Sequence, residues 1–250
     1  MASFNIEFLS ISFIRPRHIF QLFLLSVIII TSLLLAGCST SFSFLPQIYL
    51  LNIGYNDGTV YQPVDPTIIN QQAGVQLANI ALQTAFEVRV GYFALCINAV
   101  PGSWLCSQNA TSLAEQLSPA DDPFNVLHVA AVFHDTIMFP YLLICSAGLS
   151  FVIFVFISPS PPVMKTLTVI TGYLAATMIL ISVLWQHVAC TTAASTIVNQ
   201  SNGTLFTSIG KIAVIFGWLS FGLLTLTVAG VYLYIKIERV AQGFEDIATE

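Results

Sequence analysis

Residues 91–106 read GYFALCINAVPGSWLC and hold two cysteines, Cys96 and Cys106, behind a glycine and two aromatic residues. Before them, residues 87–93 alternate β-branched and aromatic side chains in the manner of a strand, and Pro101-Gly102 predicts a turn before the chain returns. The stretch therefore predicts a β-hairpin. Its two thiols are compatible with a disulfide, a metal site or redox chemistry, and the compartment decides among these.

The composition is that of a membrane protein. Hydrophobic residues make up 56% of the chain and charged residues only 8%, far below the roughly one-quarter charged residues of soluble domains. Buried helices of a large soluble core are excluded, because the chain has too few polar residues to coat such a core. Four uncharged windows are long enough to span a bilayer as helices: 19–38, 137–157, 167–188 and 212–235.

Basic residues indicate the orientation of these spans, because cytoplasmic flanks are enriched in Lys and Arg. Arg15, Arg17, Lys165, Lys236 and Arg239 all lie on one predicted side of the membrane. We therefore expect a multi-pass protein with both termini in the cytosol. The cytosolic segments are then 1–18, 158–166 and 236–250, and the outer segments are 39–136 and 189–211.

Glycosylation sequons support the outer assignment. Asn109, Asn199 and Asn202 each begin an Asn-x-Ser/Thr sequence, and all three fall in the predicted outer segments. The run Leu35–Cys38, LAGC, also resembles a bacterial lipoprotein cleavage box. Three further spans and the sequons favour an uncleaved first helix, in which small residues serve packing.

An outward location favours a disulfide between Cys96 and Cys106, because oxidation is favoured there. Zinc would need more ligands at suitable spacing, and a CxxC redox pair is excluded by the separation. The odd count of five cysteines leaves at least one free thiol. We expect that thiol to be Cys145, while the pairing of Cys38 and Cys190 stays open.

Gly91, Tyr92 and Phe93, followed by Cys96 and then Cys106, resemble the Gly-Leu-Trp-x-x-Cys signature of the claudin superfamily. The sequence VRVGYFALC, followed by Trp104 two positions before the second cysteine, is more specifically similar to the fungal claudin-like family of calcium regulators and membrane-fusion proteins of mating. The resemblance covers roughly residues 20–240. No tryptophan precedes Gly91, where animal claudins usually have one, so formation of tight-junction strands is not carried over.

The resemblance implies an all-α membrane protein with a small extracellular β part. The expected fold is a left-handed, claudin-like bundle of four transmembrane helices, capped by an antiparallel sheet from the first outer loop. Its strands would include parts of residues 47–55, 87–98 and 102–107. Gly172, Ala175, Gly210 and Gly217 would permit close helix contacts, although ordinary glycine usage in membranes explains them equally well.

The resemblance also implies a function. We expect a non-enzymatic plasma-membrane protein that assists calcium influx and cell fusion during fungal mating. The alternative is a pore-forming or scaffolding claudin-like tetraspan without a mating role. The expected partners are the lipid bilayer, a calcium channel or fusion machinery, and further copies of the chain; nothing indicates nucleic acid binding.

Charge in the first outer segment is mostly acidic, and Asp121 with Asp122 forms a candidate cation-attracting surface. No EF-hand spacing accompanies it, so we expect diffuse attraction and not a discrete metal site. Glu87 and Arg89 share a strand face and are candidates for an ion pair. No catalytic motif, intramembrane charge or cofactor-binding sequence is present, so neither an enzyme nor a cofactor is expected.

Overall fold

The computed structural model describes residues 16–42, 44–56, 86–100, 103–117, 121–157, 162–201 and 203–248. Within them it has six α-helices and one five-stranded sheet. The helices are α1 (Pro16–Ala36), α2 (Ala110–Ala114), α3 (Val126–Ile137), α4 (Tyr141–Phe156), α5 (Pro162–Gln200) and α6 (Lys211–Ala248). The strands are β1 (Leu51–Tyr55), β2 (Glu87–Val90), β3 (Leu95–Val100), β4 (Ser103–Ser107) and β5 (Leu205–Ile209).

Three of the described helices are long and apolar enough to cross a membrane, over His18–Ala36, Lys165–Gln200 and Lys211–Val240. A fourth candidate is the pair α3 and α4, whose axes meet at a bend of 52°. The chain is therefore a mostly helical, multi-pass membrane protein. The predicted window 137–157 contains this bend, because the helix is interrupted at residues 138–140, where Pro140 lacks a backbone N–H.

The long helices pack in a ring in which α1 contacts α4 and α6, and α5 contacts α4 and α6. Gly172 lies against Val228, whose Cγ2 would be 2.5 Å from an added Cβ. Gly217 lies against Val183 in the same way, at 3.0 Å. These two glycines therefore permit the close approach of α5 and α6 that the sequence suggested. Gly210 instead packs against the backbone of Tyr49, at the entrance to α6.

The sheet is antiparallel throughout and has the strand order β4-β3-β2-β1-β5. One face of the sheet forms the core of the outer domain. In β2 the side chains alternate: Val88 and Val90 are buried, and Glu87 and Arg89 are half-buried, as the period of two requires. Helix α3 packs against this core with an apolar face that includes Phe133.

Two features of the predicted sheet need correction. The strand pattern of residues 87–93 does not continue to its end, because Gly91–Ala94 turns the chain between β2 and β3. The sheet is also not built from the first outer segment alone, because β5 from the second outer segment pairs with β1 along its whole length. Its sequence, LFTSI between Gly203 and Gly210, contains the β-branched and aromatic residues that are typical of a strand.

The helix bounds differ from the predicted windows as well. Helix α5 continues to Gln200, about three turns beyond the predicted 167–188, and α6 continues to Ala248. An uncharged window marks only the part of a helix that lipid can hold, and a helix continues beyond it wherever the sequence still favours one. Residues 1–15, 158–161 and 249–250 of the predicted cytosolic segments lie outside the described residues.

Candidate functional site

The two cysteines of the motif form a disulfide in the structure, between Cys96 on β3 and Cys106 on β4. They are direct partners across the antiparallel pair, in register with each other. The disulfide thus fastens the edge strand β4 to the rest of the sheet. The predicted turn at Pro101 and Gly102 lies outside the described residues.

Gly91 opens the turn that follows β2, and its N–H donates to the Ala94 carbonyl at 2.9 Å. A Cβ on Gly91 would collide with the Gly37 carbonyl oxygen and would stand 2.8 Å from the Cβ of Cys38. The glycine is therefore needed for close approach of two backbones, and not for a positive φ. Gly37 in turn packs against the Ile48 carbonyl oxygen. The small residues of the LAGC run thus serve the junction between α1 and the sheet.

Tyr92 and Phe93 of the motif differ in burial. Tyr92 is 3% exposed, and its hydroxyl donates to Oε1 of Gln186 on α5 at 2.9 Å. Burial raises the pKa of this hydroxyl above its usual value, so it stays protonated and can donate. The Tyr92 carbonyl lies 3.2 Å from Nε2 of His134 on α3. One motif residue therefore joins the sheet to two helices, whereas Phe93 is 37% exposed.

Arg89 on β2 lies over two aromatic rings. Its guanidinium carbon is 3.8 Å from the centroid of the Trp104 ring and 4.7 Å from that of Tyr49. Nη1 also donates to the Pro46 carbonyl at 3.0 Å. Such stacking is favourable by about 0.5–2 kcal/mol when it is partly desolvated. Arg89 thereby ties the motif residue Trp104 to the segment that leads into β1.

Glu87 does not form the predicted ion pair with Arg89 in the described structure. Its carboxylate instead accepts a long hydrogen bond of 3.4 Å from Nδ2 of Asn52 on β1. The sequence showed that the two residues share a strand face. It did not show the aromatic rings, because these come from residues 15 positions downstream and 40 positions upstream of Arg89.

Cys38 is a free, buried thiol next to the disulfide, and its carbonyl oxygen is 3.4 Å from the Cys96 sulfur. Its φ of 59° is left-handed, which sets the tight exit from α1. Burial raises the pKa of the Cys38 thiol to about 12, with Arg89 acting weakly against the rise. The thiol is therefore neutral at physiological pH and is a poor nucleophile towards the neighbouring disulfide. Cys190 is also buried and free, and Cys145 is free and exposed on α4.

Asp122 has a structural role. Its Oδ1 accepts the Tyr55 hydroxyl at 2.7 Å and the N–H of Val126 at 2.8 Å, and its Oδ2 accepts the N–H of Leu127 at 2.9 Å. The carboxylate thus satisfies donors that the first turn of α3 leaves open, where the helix dipole also favours negative charge. The neighbouring Asp121 is exposed. No group of three metal-ligating side chains occurs in the described ranges.

Two of the three predicted glycosylation sites are described, and both are exposed. Asn109 is the N-cap of α2, where its Oδ1 accepts the Thr111 N–H at 3.0 Å. Asn199 lies one residue before the end of α5. Asn202 lies outside the described residues.

Comparison with known proteins places these features in a family. Residues 74–237, more than half of the chain, match the family model described as "Ca2+ regulator and membrane fusion protein Fig1". The range includes the disulfide, the motif turn and α3 to α5.

The chain is also similar to cell fusion protein dni1 of Schizosaccharomyces pombe, with 26% identity over 160 residues, which cover 61% of this chain and 65% of that protein. The match thus spans less than two thirds of that relative. The family model nevertheless covers more than half of the chain, including β2 to β5 and most of the described helices, and the chain belongs to the Fig1 family of Ca2+ regulators and membrane fusion proteins.

Proposed function

We propose that this chain is a plasma-membrane protein that assists calcium influx and cell fusion during fungal mating. The observation that carries the proposal is the family match over residues 74–237, because this range contains the disulfide hairpin, the motif turn, α3 to α5 and most of α6. The name of the S. pombe relative, a cell fusion protein, supports the same role.

The proposed arrangement in the membrane has four crossings, by α1, α4, α5 and α6, in a claudin-like bundle with both termini in the cytosol. The ring of helix contacts supports it. Charged residues support the orientation. Lys165 and Glu238 form a salt bridge of 2.6 Å at the ends of α5 and α6 that are remote from the sheet. Lys236 and Arg239 are close to Glu238 in sequence, and such basic residues are enriched on the cytoplasmic side. The sheet and its sequons then face outward.

The proposed mode of action is non-enzymatic and works through contacts of the outer domain. The disulfide and the Arg89 stack hold β4 and Trp104 in fixed positions, which favours a rigid surface that a calcium channel, the fusion machinery or another copy of the chain can recognise. The acidic residues contribute diffuse cation attraction, with Asp121 exposed and Asp122 engaged in capping α3.

The test is deletion of the gene in a mating-competent strain, scored for calcium uptake and for fusion of mating pairs at several external calcium concentrations. We expect both to fall and raised calcium to restore part of the fusion. Complementation with Cys96→Ser should fail, and Asp121→Asn serves as the matched surface control that should succeed. Normal uptake and normal fusion in the deletion strain would overturn the proposal. Altered uptake with normal fusion would favour a pore or scaffold without a mating role.

A further inference from the structure

Helix α3 exposes two different strips of residues beside its buried face. Val129, Val132 and Thr136 fall within about 60° of one another on a helical wheel, and His128 and Asp135 form a neighbouring strip about 80° away. Val129 is 41% and Val132 47% exposed. Thr136 turns its hydroxyl back to the Val132 carbonyl, which leaves its methyl group as the outer surface. We call Val129, Val132 and Thr136 the apolar strip of α3.

Aromatic residues gather where α3 ends and α4 begins. Phe139 and Tyr141 are 57% and 64% exposed, and their rings meet edge to face at 5.3 Å. Trp185 on α5 is 55% exposed, and its indole N–H donates to the Ile137 carbonyl at 2.9 Å. Exposed Tyr and Trp side chains at one level of a helical membrane protein mark the boundary between lipid and water. The C-terminal end of α3 therefore lies at the outer boundary.

The length of α4 leads to the same level. Its 16 residues span about 24 Å, which is shorter than the hydrocarbon core of about 30 Å. The residues that follow Ile137 must therefore complete the crossing, and α3 leaves the bilayer at its surface. Its buried face meanwhile packs against the sheet, so α3 cannot itself enter the hydrocarbon core as a span.

The bend of 52° then fixes how far the apolar strip rises above the boundary. If α4 stands upright, each residue of α3 rises about 0.9 Å, so Val132 lies about 5 Å and Val129 about 7 Å above Ile137. The head-group layer of one leaflet is about 5–8 Å thick. Both valines therefore fall within that layer.

We propose that the apolar strip of α3 lies in the head-group layer of the outer leaflet, so that α3 is a membrane-contacting helix of the outer domain. Along the chain the strip leads to the exposed Phe139 and Tyr141 at the start of α4. In this arrangement the separate strip of His128 and Asp135 faces water. The same helix contacts the motif turn, where His134 lies 3.2 Å from the Tyr92 carbonyl. A change in the outer leaflet would thus reach the disulfide hairpin through α3.

The test uses the full chain in proteoliposomes, with the exposed thiol removed by Cys145→Ala and single reporters introduced as Val132→Cys, Val129→Cys and His128→Cys. Each is labelled with bimane and quenched by iodide in the water and by doxyl lipids near the head groups. Val129 and His128 form a matched pair, because they lie at nearly the same height on different sides of α3. Mass spectrometry of unreduced peptides confirms the Cys96–Cys106 bond in each variant.

We expect the iodide quenching constant at position 129 to be at least about two-fold lower than at 128, with the lowest value at 132, and head-group doxyl quenching to follow the reverse order. If Val132→Cys does not fold, Thr136→Cys one turn further on gives the same readout. Equal iodide access at 128 and 129, without doxyl quenching at either, would overturn the proposal.

Discussion

Gly91 packs directly on Gly37, so the turn of the family motif and the end of the first helix approach each other backbone to backbone. Gly91 belongs to the recognised motif, and Gly37 belongs to a run that resembled a cleavage box. The two are separated by 54 positions, and neither pattern alone indicates the other. Their contact is the point at which the outer domain is seated on the helices.

The first prediction is that Gly91→Ala destabilises this junction. An added methyl group meets backbone atoms of Gly37 and Ala94 and the Cβ of Cys38, none of which is the movable end of a side chain. Such overpacking costs about 1–3 kcal/mol, and Gly91→Val should cost more. The loss of stability is measured by thermal unfolding in detergent, with size-exclusion chromatography as the readout of folded protein. Gly222→Ala is the control, because nothing lies within 4 Å of an added Cβ there; equal effects at both positions would refute the close-approach argument.

The second prediction is that Arg89 and Trp104 are energetically coupled. A double-mutant cycle of Arg89→Lys and Trp104→Leu should give a coupling free energy of about 0.5–2 kcal/mol, because lysine loses both the planar stack and the geometry of the hydrogen bond to Pro46. Chemical or thermal unfolding of the four proteins supplies the values. Additive effects, with no coupling beyond error, would mean that the two side chains do not stabilise each other.

The third prediction concerns the disulfide. Because Cys96 and Cys106 are cross-strand partners, Cys96→Ser, Cys106→Ser and the double variant each remove the same single bond. All three should lose about 2–4 kcal/mol of stability and be retained in the secretory pathway to the same extent. Surface biotinylation measures the retention. A double variant that is clearly worse than both single variants, or free thiols at both positions in mature surface protein, would contradict the assignment.

The sequence predicted the parts of this site that depend on residues close together in the chain. The hairpin, its disulfide and the four apolar helices each follow from patterns within about 25 residues. The turn at Gly91 was not predicted, because Tyr92 and Phe93 continue the aromatic pattern of a strand and Gly37, on which Gly91 packs, lies 54 positions away. Strand β5 has a local strand signal, but its pairing with β1, like the rings over Arg89, joins distant segments, and periodicity does not encode such contacts.

The fourth prediction separates the two neighbouring aspartates that the sequence treated as one surface. Asp122→Ala leaves the Tyr55 hydroxyl and two N–H groups of α3 without their acceptor, so it should lower stability by about 1–3 kcal/mol. Asp121→Asn keeps a hydrogen-bonding side chain at an exposed position, so it should cost less stability than Asp122→Ala and should weaken calcium dependence only modestly. Raised ionic strength should mimic it, because exposed charges are screened over about 8 Å at physiological salt. Complete loss of calcium dependence in a stable Asp121→Asn protein would indicate true coordination instead.

The last prediction is topological and concerns Asn109. This side chain is exposed at the N-cap of α2, in the same outer domain as the disulfide, so an outward sheet places it in the lumen during synthesis, where glycan is added. Glycosidase should then shift the mobility of the native protein. Asn109→Gln should remove part of that shift, and Asn199→Gln serves as an independent reporter at the end of α5.

Epitope tags at either terminus should require permeabilised cells for labelling. Staining of a terminal tag on intact cells would refute the arrangement with four crossings and two cytosolic termini, even if the glycan were present, because an odd number of crossings would place one terminus outside.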